Sequence, residues 1–308
     1  MQVTQVGKIV YECKNDIMKL FTEYKSSLKM IELEEIPDII FYRPLAFLLV
    51  KLFYPTRIKP NHLTIGAIIM GVIGGCFYSF GTKVSCIYGA LFYFMFNILD
   101  CSDGQLARLK KNGTPIGSLI DGIADYTATV AVFIGIAVGY SSKSDKSHYF
   151  LILLVLSGIS IMIQEALVDY YRIRFKDYVL ERKNTLVEGS EVYRKEYEIL
   201  KNQKGKWLER TIIRIYFTYS DVQKKLAARK KGEKLLHASP ENYFDKNRII
   251  IRFWVSMGPT MKITTLILCS LFCRFDIYFW IIIGFFNILC AVLWLIQRRI
   301  DKYFLENK

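Results

Sequence analysis

Between Asp100 and Asp125 the chain sets four aspartates at helical spacings, Asp100 and Asp103 three apart, Asp121 and Asp125 four apart. The stretch opens Asp100-Cys101-Ser102-Asp103-Gly104-Gln105-Leu106-Ala107-Arg108 and, after eight more residues, reaches Gly117. Carboxylates beside or inside a bilayer-spanning helix are expensive and mark function. Four ionised together would repel, and some would keep their protons. A hard divalent cation that takes oxygen ligands, Mg²⁺ or Mn²⁺, removes that conflict. Held by carboxylates, such an ion keeps positions open for substrate phosphates. Arg108 offers phosphate a planar two-pronged donor. Gly104 and Gly117 carry no side chain, so a ligand or a neighbouring helix can come close. An aspartate not committed to metal can take a proton from an attacking hydroxyl. A helix cap at a membrane edge would account for Asp100 alone; it would not account for the whole set.

The elements that position these residues follow from hydropathy. The chain has 308 residues, 52% of them hydrophobic, with 21 Phe and 20 Tyr. It holds several apolar runs approaching the length of about 20 residues that crosses a bilayer. Residues 1–36 are polar and of mixed charge, which predicts a cytoplasmic helix. The segment 41–54 is apolar but short for a span and flanked by Arg43, Lys51 and Arg57, which suits an amphipathic helix lying in the interface. Pro55 and Pro60 end it. Spans are expected near 63–80, 86–99, 117–140, 150–166, 249–271 and 277–296, the second delivering Asp100 at its end and a loop with Arg108 following. Gly71, Gly74 and Gly75 in the first of them allow close helix contact. Residues 175–248 are dense in Lys, Arg and Glu, with no run long enough to span. Within them, 207–219 reads either as a second interfacial helix or as the buried face of a helical hairpin.

The expected fold is therefore an all-α integral membrane protein of six transmembrane helices preceded by an amphipathic interfacial helix. Its parts are the N-terminal and interfacial helices (1–58), spans one to four with the aspartates (59–174), a basic cytoplasmic insert (175–248), and spans five and six with the tail (249–308). The formal charge of +14 is explained by the positive-inside rule and anionic headgroups ahead of nucleic acid, which is not expected as a partner. Lys and Arg crowd the N-terminal segment, the loop after Asp100, the insert and the tail, so both ends and the aspartates face the cytoplasm. The seven cysteines show no zinc spacing and read as packed free thiols. The N-terminus lacks a signal-peptide core, so insertion is expected to rely on the spans.

At every defined position, Asp100-x2-Asp103-Gly104-x2-Ala107-Arg108-x8-Gly117-x3-Asp121-x3-Asp125 resembles the signature of the CDP-alcohol phosphotransferases. Upstream, Pro60-Asn61-His62-Leu63-Thr64 is similar to the Pro-Asn-x-x-Thr that opens this family's first span. The resemblance covers about residues 40–175. It implies six transmembrane helices, a homodimer, and a polar cavity open to the cytoplasm. It also implies that Asp100, Asp103 and Asp121 bind one or two divalent ions. Asp125 would be the general base, in reach of metal too, and Gly104, Ala107, Arg108 and Gly117, with Asn61 and Thr64, would line the CDP site. The implied reaction is attack by an alcohol on the phosphorus bearing the lipid of CDP-diacylglycerol, with CMP leaving.

For the acceptor, inositol phosphate or inositol is favoured, with glycerol phosphate a further candidate. Arg172 and Arg174, whose setting resembles the acceptor segment of the phosphatidylinositol-phosphate synthase branch, and Lys262 are the candidate acceptor-binding cations; anchoring by the positive-inside rule would explain them equally well. Arg43-Pro44 also resembles inositol-using relatives. Two alternatives stand beside this reading. One is a choline/ethanolamine-type transferase, which shares the signature and uses a CDP-amino alcohol with diacylglycerol. The other is a non-enzymatic divalent-cation transporter, which would carry its carboxylates at the membrane midplane, away from an arginine.

Overall fold

The structure, a computed structural model, describes residues 18–28, 30–141, 147–180 and 239–306, and within the insert 194, 197–201, 210–211, 213–214 and 217. Every regular element among them is helical. A helix at 18–27 (α1) leads to a short 3₁₀ turn, Ile31–Leu33, and a π-helical turn, Asp38–Tyr42, that runs into α2, Arg43–Phe53. Then come α3 (Pro60–Ser79), α4 (Lys83–Lys110), α5 (Pro115–Ser141), α6 (Ser147–Val179), α7 (Pro240–Val255) and α8 (Pro259–Leu271). Last are α9 (Phe275–Trp280) and α10 (Asn287–Glu306), joined by the π-helical stretch Ile281–Phe286. The reading of 207–219 and the cytoplasmic helix expected before residue 18 fall largely outside the described residues.

Among the described residues five helices are long and apolar enough to cross a membrane: α3, α4, Leu119–Tyr140 of α5, His148–Val179 of α6, and Phe275–Phe304 of the α9–α10 rod. The segment expected as the fifth span divides in two. Proline at 259 has no N–H and disfavours helix in the residue before it; Gly258 is extended, and α7 ends at Val255. Helices also outlast their apolar stretches. The second span was expected to end near residue 99, yet α4 continues to Lys110, so Asp100, Asp103 and Arg108 ride on one unbroken helix. It stops where Lys111 turns left-handed, with φ 52°. Likewise α6 runs past residue 166 to Val179 as a charged helix.

The first span is the spine. α3 packs along both α4 and α5, which pack along it rather than along each other. Small residues permit this: a Cβ on Gly75 would overlap the Ala131 carbonyl of α5, and one on Gly135 would overlap the Gly75 carbonyl. Without a solvent-driven force between helices in lipid, such close backbone contact is what holds a pair. On α2, Ala46, Phe47 and Val50 are buried while Leu45, Leu48 and Leu52 are exposed. Lys110 at the end of α4 donates to the carbonyls of Thr56 (2.9 Å) and Ile58 (2.8 Å), fixing the turn between α2 and α3. Replacing Gly75 by leucine should force α3 and α5 apart and cost at least about 1–3 kcal/mol. The check is a lowered thermal midpoint in detergent, beside a Gly122→Ala control, where a Cβ meets nothing within 4 Å.

Candidate metal and phosphate site

Helical spacing builds the site. Asp100, Asp103, Gly104, Ala107 and Arg108 recur every three or four residues and so form one stripe along α4, while Gly117, Asp121 and Asp125 do the same on α5. The two stripes converge: one carboxylate oxygen each from Asp100, Asp103 and Asp121 lie within 4.8 Å of one another. Asp103 is 5% exposed, and the Thr64 hydroxyl of α3 donates to its Oδ2, fixing the carboxylate's orientation. Asp125, one turn deeper on α5, stands outside the trio but within electrostatic reach of Asp103. Three hard oxygen donors gathered so closely fit a divalent ion such as Mg²⁺ or Mn²⁺.

The same stripe of α4 carries a donor that lacks an acceptor. Arg108 donates from Nε to the Ser27 carbonyl, and its Nη2 is buried without a hydrogen-bond partner among the described residues. Such a donor costs free energy unless something accepts from it. Gly104 lies against this guanidinium; a Cβ there would stand 3.5 Å from Nη1 and 3.6 Å from Nη2, filling the space over it. Across the gap, a Cβ on Gly117 would come within 3.3 Å of the Asn61 Oδ1, so this glycine lets the starts of α3 and α5 approach.

The chain before α2 forms a belt that the sequence reading took for plain cytoplasmic helix. Glu34 pairs with Arg43 at 3.1 Å. Glu35 accepts from the Thr260 (3.3 Å) and Met261 (2.8 Å) amides at the start of α8, and a Cβ on Gly258 would collide with its carboxylate. Asp38 accepts from the Thr260 hydroxyl (3.2 Å) and the Cys101 thiol (3.6 Å), and the Tyr42 and Thr264 hydroxyls are 3.1 Å apart. The belt thus ties α8 to α4 beside the aspartates. Arg43 lies within electrostatic reach of Asp100.

The three candidate acceptor cations are not equivalent. Among the described residues Arg172 makes two long ion pairs, 4.0 Å to Glu35 and 3.7 Å to Asp169, and its Nε is buried without a hydrogen-bond partner. Lys262 is 3% exposed and pairs with Glu165 at 3.4 Å. Arg174 is joined to Asp301 of α10 at 2.7 Å, in a knot with Gln297 and Asn247 that ties α6, α7 and α10 together. Glu34, Glu35, Asp38 and Glu165 escaped the sequence reading. For Glu165 a signal existed, a lone carboxylate at the end of an otherwise apolar run.

Burial pushes the Glu35 carboxyl up to about 8; nearby Asp38 adds to the rise, and Arg172 and the two amides oppose it. Folded Glu35 thus retains a proton that the unfolded chain releases near 4.5. Since the native state binds the extra proton, stability falls as pH rises through that interval. Glu35→Gln keeps the acceptor for the amides but cannot ionise. Thermal midpoints of wild type and variant should agree near pH 4 and separate by pH 8, with the variant higher; a constant gap would contradict the shift.

Three comparisons bear on what this site belongs to. Residues 57–187 match the family model described as CDP-alcohol phosphatidyltransferase. The chain is 29% identical over 107 residues, 35% of its length, to a protein of Thermococcus kodakarensis named bifunctional IPC transferase and DIPP synthase, covering 23% of that protein. It is also 29% identical over 108 residues, 34% of its length, to a phosphatidylinositol phosphate synthase of Mycobacteroides abscessus, covering 45% of it. The chain thus spans less than half of either relative.

Proposed function

We propose that this chain, whose residues 57–187 match the family model described as CDP-alcohol phosphatidyltransferase, is a phospholipid-synthesising transferase of that family. It moves the phosphatidyl group of CDP-diacylglycerol to a hydroxyl of a polar alcohol, inositol phosphate or inositol by preference, and releases CMP. One observation carries the reading: the trio Asp100, Asp103 and Asp121 converges beside Arg108, whose Nη2 is buried and unpartnered.

In this reading Asp100, Asp103 and Asp121 hold Mg²⁺ or Mn²⁺, and Thr64 keeps Asp103 turned toward the other two. When bound, the metal neutralises charge developing on the diphosphate. Arg108 donates to the phosphates in the space that Gly104 leaves open, and Ala107, Gly117 and Asn61 line the nucleotide. Asp125 takes the proton of the acceptor hydroxyl as that oxygen bonds to phosphorus. Breaking the bond between that phosphorus and the bridging oxygen frees CMP. Preference for an inositol acceptor draws support from the relative named phosphatidylinositol phosphate synthase. Of the candidate cations, Arg172, with its long contacts to Glu35 and Asp169, suits the acceptor's phosphate; Lys262 and Arg174 are paired with Glu165 and Asp301.

The division into 1–58, 59–174, 175–248 and 249–308 belongs to the same proposal. So do a broken fifth span made of α7 and α8, an interfacial α2, a cytoplasmic active site and a homodimer. Purified protein given CDP-diacylglycerol and Mn²⁺ should release CMP only when an alcohol acceptor is added, inositol phosphate or inositol ahead of glycerol phosphate, and EDTA should stop it. Asp125→Asn should lower kcat about 10²–10⁴-fold while CDP-lipid binding persists. Release with CDP-choline and diacylglycerol in place of CDP-diacylglycerol would overturn the substrate assignment.

A further inference from the structure

On the face of α6 toward α8 stands a charged row, Glu165, Asp169 and Arg172, at i, i+4 and i+7. At its inner end Glu165 meets Lys262 of α8 at 3.4 Å. The lysine is 3% exposed and the glutamate side chain 30% exposed, so the pair is sunk in the protein with its acidic side still open. Two opposite charges buried at bilayer level are a poor stabilising device, because the desolvation cost rivals their attraction. The contact is also longer than a charge-assisted hydrogen bond of about 2.7–2.9 Å.

The position of the pair says what it faces. The Tyr93 hydroxyl of α4 feels the charges of both Asp125 and Glu165 and is bonded to Thr129 of α5. Glu165 and the proposed base thus share one neighbour, Tyr93, within electrostatic reach of both. In the other direction Lys262 is within electrostatic reach of Glu35, which is itself 4.0 Å from Arg172. Arg172 stands seven residues from Glu165, about 10 Å along the helix axis. A molecule lying along α6 would therefore meet an arginine at one end, a lysine between, and a carboxylate at the end nearest Asp125.

Resting on the reaction proposed above, we infer that Glu165 is a specificity-determining residue: its carboxylate, held by Lys262, accepts hydrogens from neighbouring hydroxyls of a polyol phosphate whose phosphate lies toward Arg172. A carboxylate takes hydroxyl hydrogens with oxygens alone, and two vicinal hydroxyls can share its two oxygens. Glycerol phosphate has two hydroxyls, and with one attacking phosphorus a single hydroxyl is left for the carboxylate, so Glu165 selects ring polyols over glycerol phosphate. The penalty for the poorer acceptor comes from displacing water from the open side of the carboxylate without replacing all of its hydrogen bonds.

The test compares steady-state CMP release by wild type, Glu165→Gln and Lys262→Gln, with inositol phosphate and with glycerol phosphate. Expected for Glu165→Gln is a rise of about tenfold or more in KM for inositol phosphate, a smaller rise for glycerol phosphate, and an unmoved KM for CDP-diacylglycerol. The unmoved lipid KM also reports that the variant is folded. Lys262→Gln should raise the inositol phosphate KM similarly, and the double variant should be no worse than either single, since the two act as one unit. Should Glu165→Gln misfold, Glu165→Asp, which keeps the charge but withdraws it, should still lose the preference for inositol phosphate. If an active wild type and these variants share one acceptor KM, or if both substrates' KM values rise together, this role for Glu165 is overturned and the reaction stands. A wild type silent with every polyol overturns the reaction and this role with it.

Discussion

Everything else in the molecule answers to the mutual repulsion of three carboxylates. With ligand atoms of Asp100, Asp103 and Asp121 within 4.8 Å of one another, each ionised pair costs about 3 kcal/mol or more at an effective dielectric of about 20. Three such pairs approach the whole stability of a typical domain, about 5–15 kcal/mol. A carboxylate that keeps its proton or a bound cation lowers that cost, and a spine holds the two walls in place. α4 and α5 are each fixed against α3, through contacts as close as Gly75 against Ala131. The same spine supplies Thr64, which donates to the most buried of the three carboxylates. Geometry that forces acids together is wasteful in a structural protein and useful in one that must hold a cation against phosphates.

A second layer of charge closes the side where the acceptor is proposed to bind. Glu34, Glu35 and Asp38 reach from the segment before α2 to Arg43, to Cys101 of α4 and to the first turn of α8. That turn exists because Pro259 interrupts what hydropathy reads as one span, freeing the Thr260 and Met261 amides for Glu35. The break also sets Lys262 one turn into α8, opposite Glu165. Catalytic carboxylates and the groups proposed to receive the acceptor are thus joined through a belt that spans little of the sequence.

Much of this was legible in advance. The helical fold, the spans through residue 166, and the meeting of Asp100, Asp103 and Asp121 follow from hydropathy and from spacings of three and four, because those depend only on helix geometry. Where helices end did not follow: α4 and α6 continue as charged helices after their apolar stretches stop, and hydropathy marks the bilayer, not the helix. The belt was hidden because Glu35 and Asp38 find partners more than two hundred residues away, on α8, while Glu34 pairs nearby with Arg43. Arg172 and Arg174 show the limit most plainly. Two residues apart on one helix, they face different neighbours, Glu35 and Asp169 for one and Asp301 for the other. Nothing in a motif separates them.

The central claim is that the converging carboxylates form a divalent-metal site. Its most direct test is anomalous scattering at the manganese edge from crystals of the protein grown with Mn²⁺. The account predicts a peak in contact with Asp100, Asp103 and Asp121, lost in Asp103→Asn. A protein that shows no peak there, or that holds manganese elsewhere while these three carboxylates stay as they are, would contradict it.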